Sequence, residues 1–308
     1  MPSLLRGYHG VFVSICLCDV VLELPLSLTS HTDILAAESL QYTDPSSNRC
    51  TDELYSLRRV LEEKKQTAWL PSVNNALANA FLRRNEWRLA LHALDNIIIS
   101  LPDATRAFYP EEHIDNLSGA FKCEVLSRQG RIMLQIGALL EASTLFEQVK
   151  KEWQTPSTSH SSHWIFRKIP SQIRINDGLL CFAHAQYEQA ITHYRKAMDL
   201  ERGLSKSFGY TKEPLLLADA HQLSHCCNNI SLCALYTCRL QDAVRLMESV
   251  IREDPTQFLT ERLAFNLCTL YELGSDAAAS ARKKRVLQVI AKRFYLHDIG
   301  PESFRVSP

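Results

Sequence analysis

Four times along this chain an alanine is followed four residues later by a large apolar residue, and three after that by a small or β-branched one. Ala90-Leu94-Ile97, Ala142-Phe146-Val149, Ala190-Tyr194-Ala197 and Ala243-Met247-Val250 share this spacing. Twelve or so residues upstream of each alanine stands a small residue, Ala78, Gly130, Gly178 or Ser231. Three residues further comes an apolar one, Phe81, Met133, Cys181 or Ala234. Steps of three and four keep side chains on one face of a helix, whereas a strand would need steps of two. The pattern therefore predicts helix hairpins. Neither helix of a hairpin can bury its apolar face alone, so neighbours must stack. The small residue and the alanine allow close approach, and the large residue is expected to fill the gap between neighbouring hairpins. Pro102 and Pro255 follow two of the second helices and are read as ending them, since proline has no N–H and its ring blocks the preceding turn.

This is the arrangement of tetratricopeptide repeats, and it predicts an all-α fold: a right-handed superhelical solenoid of antiparallel helix pairs over residues 51–296. A single match would mean little, because Ala-x3-Phe occurs by chance in many helices. Four in register are a strong constraint. The spacing is long, however. The alanines stand 52, 48 and 53 residues apart, against about 34 in tandem tetratricopeptides. Extra residues fall at Leu101–Glu112, at Thr155–Pro170 and at Gly203–Pro214. The first two junctions are read as loops or as longer helices with loops. Pro214 and Leu215–Cys238 are read as one long helix.

Thr51–Trp69 reads as a charged amphipathic helix leading into the first hairpin. Phe258–Leu273 and Ala277–Phe294 form a last pair without the alanine pattern, joined by Gly274-Ser275-Asp276 as a turn with a capping residue. The outer face of the final helix is expected to carry Arg282, Lys283, Lys284, Arg285, Lys292 and Arg293, a polar cap for the stack. Residues 297–308 are set apart as a C-terminal tail. Residues 1–50 match nothing downstream and are set apart as an N-terminal segment of open structure, read as a truncated or spurious start.

Composition agrees with helices. Ten glycines in 308 residues are few for sheets joined by tight turns or for phosphate-cradling loops. With 34 basic and 34 acidic residues, the chain lacks the cationic excess that binding nucleic acid by bulk charge requires. Ten cysteines, with no CxxC, sit mostly in apolar helical stretches, where cysteine packs as a small hydrophobe. A reduced intracellular chain is the better reading. The apolar run Gly10–Cys18 is too short to span a bilayer, which takes about 20 apolar residues. It resembles a signal-peptide core, but no clear cleavage site follows. Of two glycosylation sequons, at Asn116 and Asn229, the second lies in a strongly apolar helix that leaves a glycan no room.

Catalytic chemistry has no motif here: no GxSxG, Walker loop, GxGxxG or kinase signature, and no cofactor site. His221 and His225 share a helix face and precede Cys226 and Cys227, a spacing that can hold one zinc. No further ligand stands at recognisable spacing, so helix packing is the expectation. His160 and His163 lie in a Ser/Thr-rich loop, read from composition as a modification site. The run Arg282–Arg285 fits either a nuclear-import or anionic-membrane patch or a solvated cap helix, and the cap is favoured.

Function then rests on a binding face lined by the first helices of the hairpins. That face should include Asn75, Asn79, Arg83, Ser127, Arg131, Gln135, Leu179, Phe182, Leu232, Leu235 and Tyr236. It begins polar and becomes apolar along the chain. The apolar half fits a groove for a partner segment, or else a surface filled by the same chain. A stand-alone adaptor or co-chaperone is the competing class. Asn75 and Asn79 occupy two positions where co-chaperone repeats grip a carboxylate, but Glu124 would stand where a lysine is needed.

Three stretches carry a family resemblance. Gln129-Gly-Arg-Ile-Met-Leu-Gln-Ile-Gly137 with Glu141-Ala-x3-Phe146-x2-Val149 resembles the central repeat of the trafficking protein particle (TRAPP) complex subunit 12 family. Asn228-Asn-Ile-Ser-Leu-Cys-x-Leu-Tyr236 with Leu240-Gln-Asp-Ala243 and Asp254-Pro255 is similar to its next-to-last hairpin. Phe265-Asn-Leu-Cys-Thr-Leu-Tyr-Glu-Leu273 is similar to its closing signature. The resemblance covers residues from about 69 to 275. It implies a non-catalytic helical scaffold whose partners are the other subunits of the TRAPP vesicle-tethering complex. That complex acts in endoplasmic reticulum-to-Golgi traffic and autophagy, and its core activates a Rab GTPase. A cytoplasmic location at the intermediate compartment and Golgi periphery is implied, with membranes met through the complex. Two departures are the lack of the family's long upstream region and a basic tail after Asp276 that is unlike the family's.

Overall fold

A computed structural model describes residues 48–108, 114–153, 164–207 and 217–305. The described residues form helices packed in neighbouring pairs, with no strand among them. In order they are α1 (Asn48–Glu63), α2 (Leu70–Arg83), α3 (Trp87–Phe108), α4 (Ile114–Gln135), α5 (Leu139–Glu152), α6 (Trp164–Ala183), α7 (Tyr187–Ser207), α8 (Leu217–Tyr236), α9 (Leu240–Glu253), α10 (Pro255–Phe258), α11 (Glu261–Gly274) and α12 (Ala277–Arg293). They divide into two compact units that part at Pro170, within α6.

The four predicted hairpins are α2–α3, α4–α5, α6–α7 and α8–α9. Their alanines, Ala90, Ala142, Ala190 and Ala243, are fully buried, as are Ala78, Leu94, Tyr194, Ala197 and Met247, with Phe81 and Phe146 nearly so. The large residue of the second helix packs inside its own hairpin. A Cβ added at Gly130 would lie 2.3 Å from Cε1 of Phe146, and one added at Gly178 would lie 2.6 Å from Cε1 of Tyr194. Ala78 and Leu94, and Ser231 and Met247, have the same separation in sequence. Aromatic rings thus face glycine in two hairpins, and the matching positions of the other two hold slimmer side chains, Leu94 with Ala78 and Met247 with Ser231. Ser231 also turns its hydroxyl inward, onto the carbonyl of Cys227 at 2.9 Å.

Every hairpin turns through the same backbone device. Asn85, Gly137, Ala185 and Cys238, each five residues before a repeat alanine, have φ of 59°, 81°, 58° and 60°. The N–H of the next residue then reaches back into the first helix. Glu86 bonds to the carbonyl of Phe81 at 2.9 Å, Ala138 to Met133 at 2.9 Å, Gln186 to Cys181 at 2.8 Å and Arg239 to Ala234 at 2.7 Å. These are Schellman closures, which occupy carbonyls a helix end would otherwise leave orphaned. The four acceptors are the apolar residues of the sequence pattern. Lys65 and Tyr295 end α1 and α12 in the same way.

Several helix limits differ from the sequence reading. Pro102 does not end α3, which runs on to Phe108. Its ring is exposed, so the carbonyl it displaces can turn to water, while the turns beyond it bury Ala104 and Thr105. The edge of Trp69 meets Phe108 at 5.0 Å. The helix expected over Thr51–Trp69 stops at Glu63 and resumes as a 3-10 turn at Thr67–Trp69. The helix expected over Phe258–Leu273 is split. Pro255 opens the short α10, with Asp254 accepting from the N–H of Thr256 at 2.9 Å, and Thr260 caps α11. Asp276 caps α12, accepting from the N–H of Ala279 at 2.8 Å. Lys284, expected on the outer face of α12, points inward and is buried against Glu272 and the carbonyl of Arg305. In the segment set apart as a tail, Pro301–Phe304 forms a 3-10 turn that buries Phe304, and Arg305 bonds to Thr269 at 3.0 Å and pairs with Glu272 at 3.2 Å.

Most of the N-terminal segment, the Ser/Thr-rich loop with His160 and His163, Pro110 and Pro214 lie outside the described residues.

Candidate partner-binding face

The residues expected on the first-helix face fall in both units. In the unit ending at Ile169, Asn75, Ser127 and Arg131 are buried, Asn79 and Gln135 are half-buried and Arg83 is exposed. Arg128 organises them. It stands on α4 and donates from Nη1 to the Oδ1 of Asn75 at 2.6 Å, and from Nη2 to the Oδ1 of Asn79. The two asparagines sit one helical turn apart on α2, so a planar guanidinium reaches both at once. Glu124, one turn before Arg128, is almost fully buried and lies 3.7 Å from Arg131 and 3.6 Å from Lys168. From α4 to second helices, Gln129 donates to Asp95 of α3 at 2.7 Å, and Lys122 pairs with Glu152 of α5 at 2.7 Å. This polar half joins one hairpin to the next. The pair that a carboxylate clamp would need, Asn75 and Asn79, is taken up by Arg128.

In the unit beginning at Pro170, Leu179 and Leu232 are buried, while Phe182, Leu235 and Tyr236 are half-buried. Tyr187, which the sequence reading missed, completes an aromatic triad. Its ring stacks on Tyr236 with centroids 4.8 Å apart, and Phe182 meets both edge-on at 5.5 and 5.7 Å. Tyr187 belongs to the first turn of a second helix, three residues before Ala190, and the tight αL turn brings it beside Phe182. Burial raises the phenol pKa of Tyr187, and burial with the neighbouring Tyr187 raises that of Tyr236. Both hydroxyls are therefore neutral donors at physiological pH. Elsewhere in this unit Ser171 links Glu201 and Gln222, with Gln222 donating at 2.7 Å, and Asn266 donates to Asn228 at 2.6 Å. Ion pairs Arg202–Glu253 and Arg239–Glu188, both at 2.7 Å, tie successive second helices and turns.

Among the described residues no group of three or more His, Cys, Asp or Glu is placed to hold a metal ion. Cys226 and Cys227 are fully buried in α8, and Asn229 of the second sequon is buried too. No helix among the described residues is long and apolar enough to cross a membrane.

Four helix hairpins, closed by one shared turn and joined by buried polar contacts, make the described residues all-α. No protein-family model matches it. The chain is similar to trafficking protein particle complex subunit 12 of Homo sapiens, at 26% identity over 222 residues that cover 72% of this chain and 24% of the human protein. It is similar to the Mus musculus protein of the same name, at 26% identity over 243 residues covering 77% of this chain and 25% of the mouse protein. The chain thus spans about a quarter of the length of these curated relatives.

Proposed function

We propose that this chain is a non-catalytic scaffold subunit of a TRAPP-type vesicle-tethering complex, built as a tetratricopeptide-type solenoid and acting by protein–protein contact. The observation that carries this reading is the distant similarity to subunit 12, which extends over about three quarters of the chain. The repeat pattern supports it, because each hairpin keeps the small–large spacing in sequence and the αL turn, and two of them make the small–large contact. Other subunits of such a complex are the partners. Traffic between endoplasmic reticulum and Golgi, and autophagy, are the processes. The cytoplasmic face of the intermediate compartment and Golgi is the location, with membranes met through the complex. The first-helix residues supply the contacts, above all the half-exposed Phe182 and Tyr236 together with Tyr187 at the start of the neighbouring second helix, since aromatic side chains dominate interface energetics.

Affinity purification of the tagged chain from cells tests this. Recovery of TRAPP core subunits, reduced by changing Tyr236 to Ala, is the expected result. Enrichment of chaperones without core subunits would sink the proposal and favour a stand-alone adaptor.

A further inference from the structure

We propose that α12 docks this chain directly onto an anionic lipid surface. This goes beyond the reading above, in which membranes are reached only through other subunits. The helix carries six basic residues and no acidic one, in a chain whose formal charge is zero. Ser280, Lys284, Leu287 and Ala291 face inward and are buried. The opposite side presents Arg282, Val286, Val289 and Arg293 in one stripe, at steps of four, three and four residues. Val286 is 58% exposed, Val289 63% and Tyr295, just past the helix end, 77%. Arg285 and Lys292 flank the stripe on one side. Lys283 flanks it on the other, over the ring of Tyr271 at 4.7 Å.

Valine gains nothing from standing in water on a helix, where its branched side chain loses rotamer freedom. Two of them on an outer stripe between arginines form an apolar centre with a cationic rim. The surface is one convex helix, 17 residues long, with cations along its length. A peptide partner asks for a groove. A sheet of acidic headgroups asks for spread cations and shallow apolar contacts, as on helices that lie in a bilayer interface.

Co-sedimentation of the purified full chain with vesicles tests this without any other subunit, so failed recovery of TRAPP subunits leaves the result untouched. Binding to phosphatidylcholine–phosphatidylserine vesicles but not to phosphatidylcholine alone is expected, and it should weaken steeply with added salt. Each cation near such a surface contributes about fivefold in partitioning, so Arg285→Glu with Arg293→Glu should lower binding by more than tenfold. Val289→Ser should lower it by a smaller factor. All three residues are exposed, and the native chain's salt titration needs no variant. No difference between the two vesicle types, or unchanged binding by the charge-reversed chain, would overturn the proposal. So would capture of an acidic peptide by the same face with no vesicle binding.

Discussion

Gly130 and Phe146 form one steric unit: the ring occupies the space where any side chain at position 130 would begin, 2.3 Å from an added Cβ. Gly130→Ala is therefore expected to destabilise the protein by about 1–3 kcal/mol, the usual cost of overpacking a filled core. Phe146→Leu in the same chain should recover part of that loss, because Ala with Leu is the combination the first hairpin already uses at Ala78 and Leu94. Gly178→Ala should behave likewise against Tyr194. Chemical denaturation of the single and double variants measures it. Additive losses in the double variant would show that the two side chains do not share a site.

The hairpin turns make an opposite prediction. Ala185 and Cys238 hold the left-handed backbone conformation at φ of 58° and 60°, where a Cβ crowds the following carbonyl oxygen. Ala185→Gly and Cys238→Gly are each expected to raise stability, by up to about 1 kcal/mol once the greater freedom of the unfolded glycine is deducted. Gly137→Ala should lower it by a similar amount. Thermal melts suffice, and a fall in Tm for both glycine variants would contradict the backbone assignment.

Asn75 and Asn79 hold Arg128, and this decides how they respond to mutation. Arg128→Ala should cost a few kcal/mol, since it leaves buried amide oxygens without their donor. Arg128→Lys should rescue little, because an ammonium cannot match a planar two-pronged fit. Asn79→Ala should lower stability while leaving the affinity for acidic C-terminal peptides at background. Calorimetry with such a peptide checks the second point: binding that Asn79→Ala abolishes would restore the co-chaperone reading.

The hairpins were legible because their signal is local. Ala90, Ala142, Ala190 and Ala243 set the register, and the small residue upstream of each marks where the second helix crosses the first. Contacts between hairpins were not legible. Nothing in the spacing says that Arg128 lies over Asn75 and Asn79, because that depends on how α4 is laid against α2. Tyr187 was missed for a related reason: it lies on a second helix, but the αL turn at Ala185 swings it against Phe182 and Tyr236. Proline misled at position 102. Its local cost is about 3 kcal/mol, yet the helix runs on and buries Ala104 and Thr105 beyond it, which offsets part of that cost. Lys284 misled because a basic run reads as surface, whereas one of its four members falls on the inner face and finds Glu272.

Buried cysteines give the last prediction. Burial pushes the thiols of Cys123, Cys227 and Cys268 up to about 12, from an ordinary 9.0. Below pH 9 these thiols are protonated in both folded and unfolded chains and contribute no pH dependence. Above it the unfolded chain loses protons that the folded chain keeps, so stability falls between about pH 9 and 12. At pH 10 the loss should be on the order of 1 kcal/mol per thiol. The same burial should protect these three thiols from alkylation at neutral pH, while exposed Cys238 reacts at once. Denaturation at pH 7 and pH 10, with mass-spectrometric mapping of alkylated sites, tests both statements. Rapid labelling of Cys227 in the folded chain would show that α8 is not packed as described.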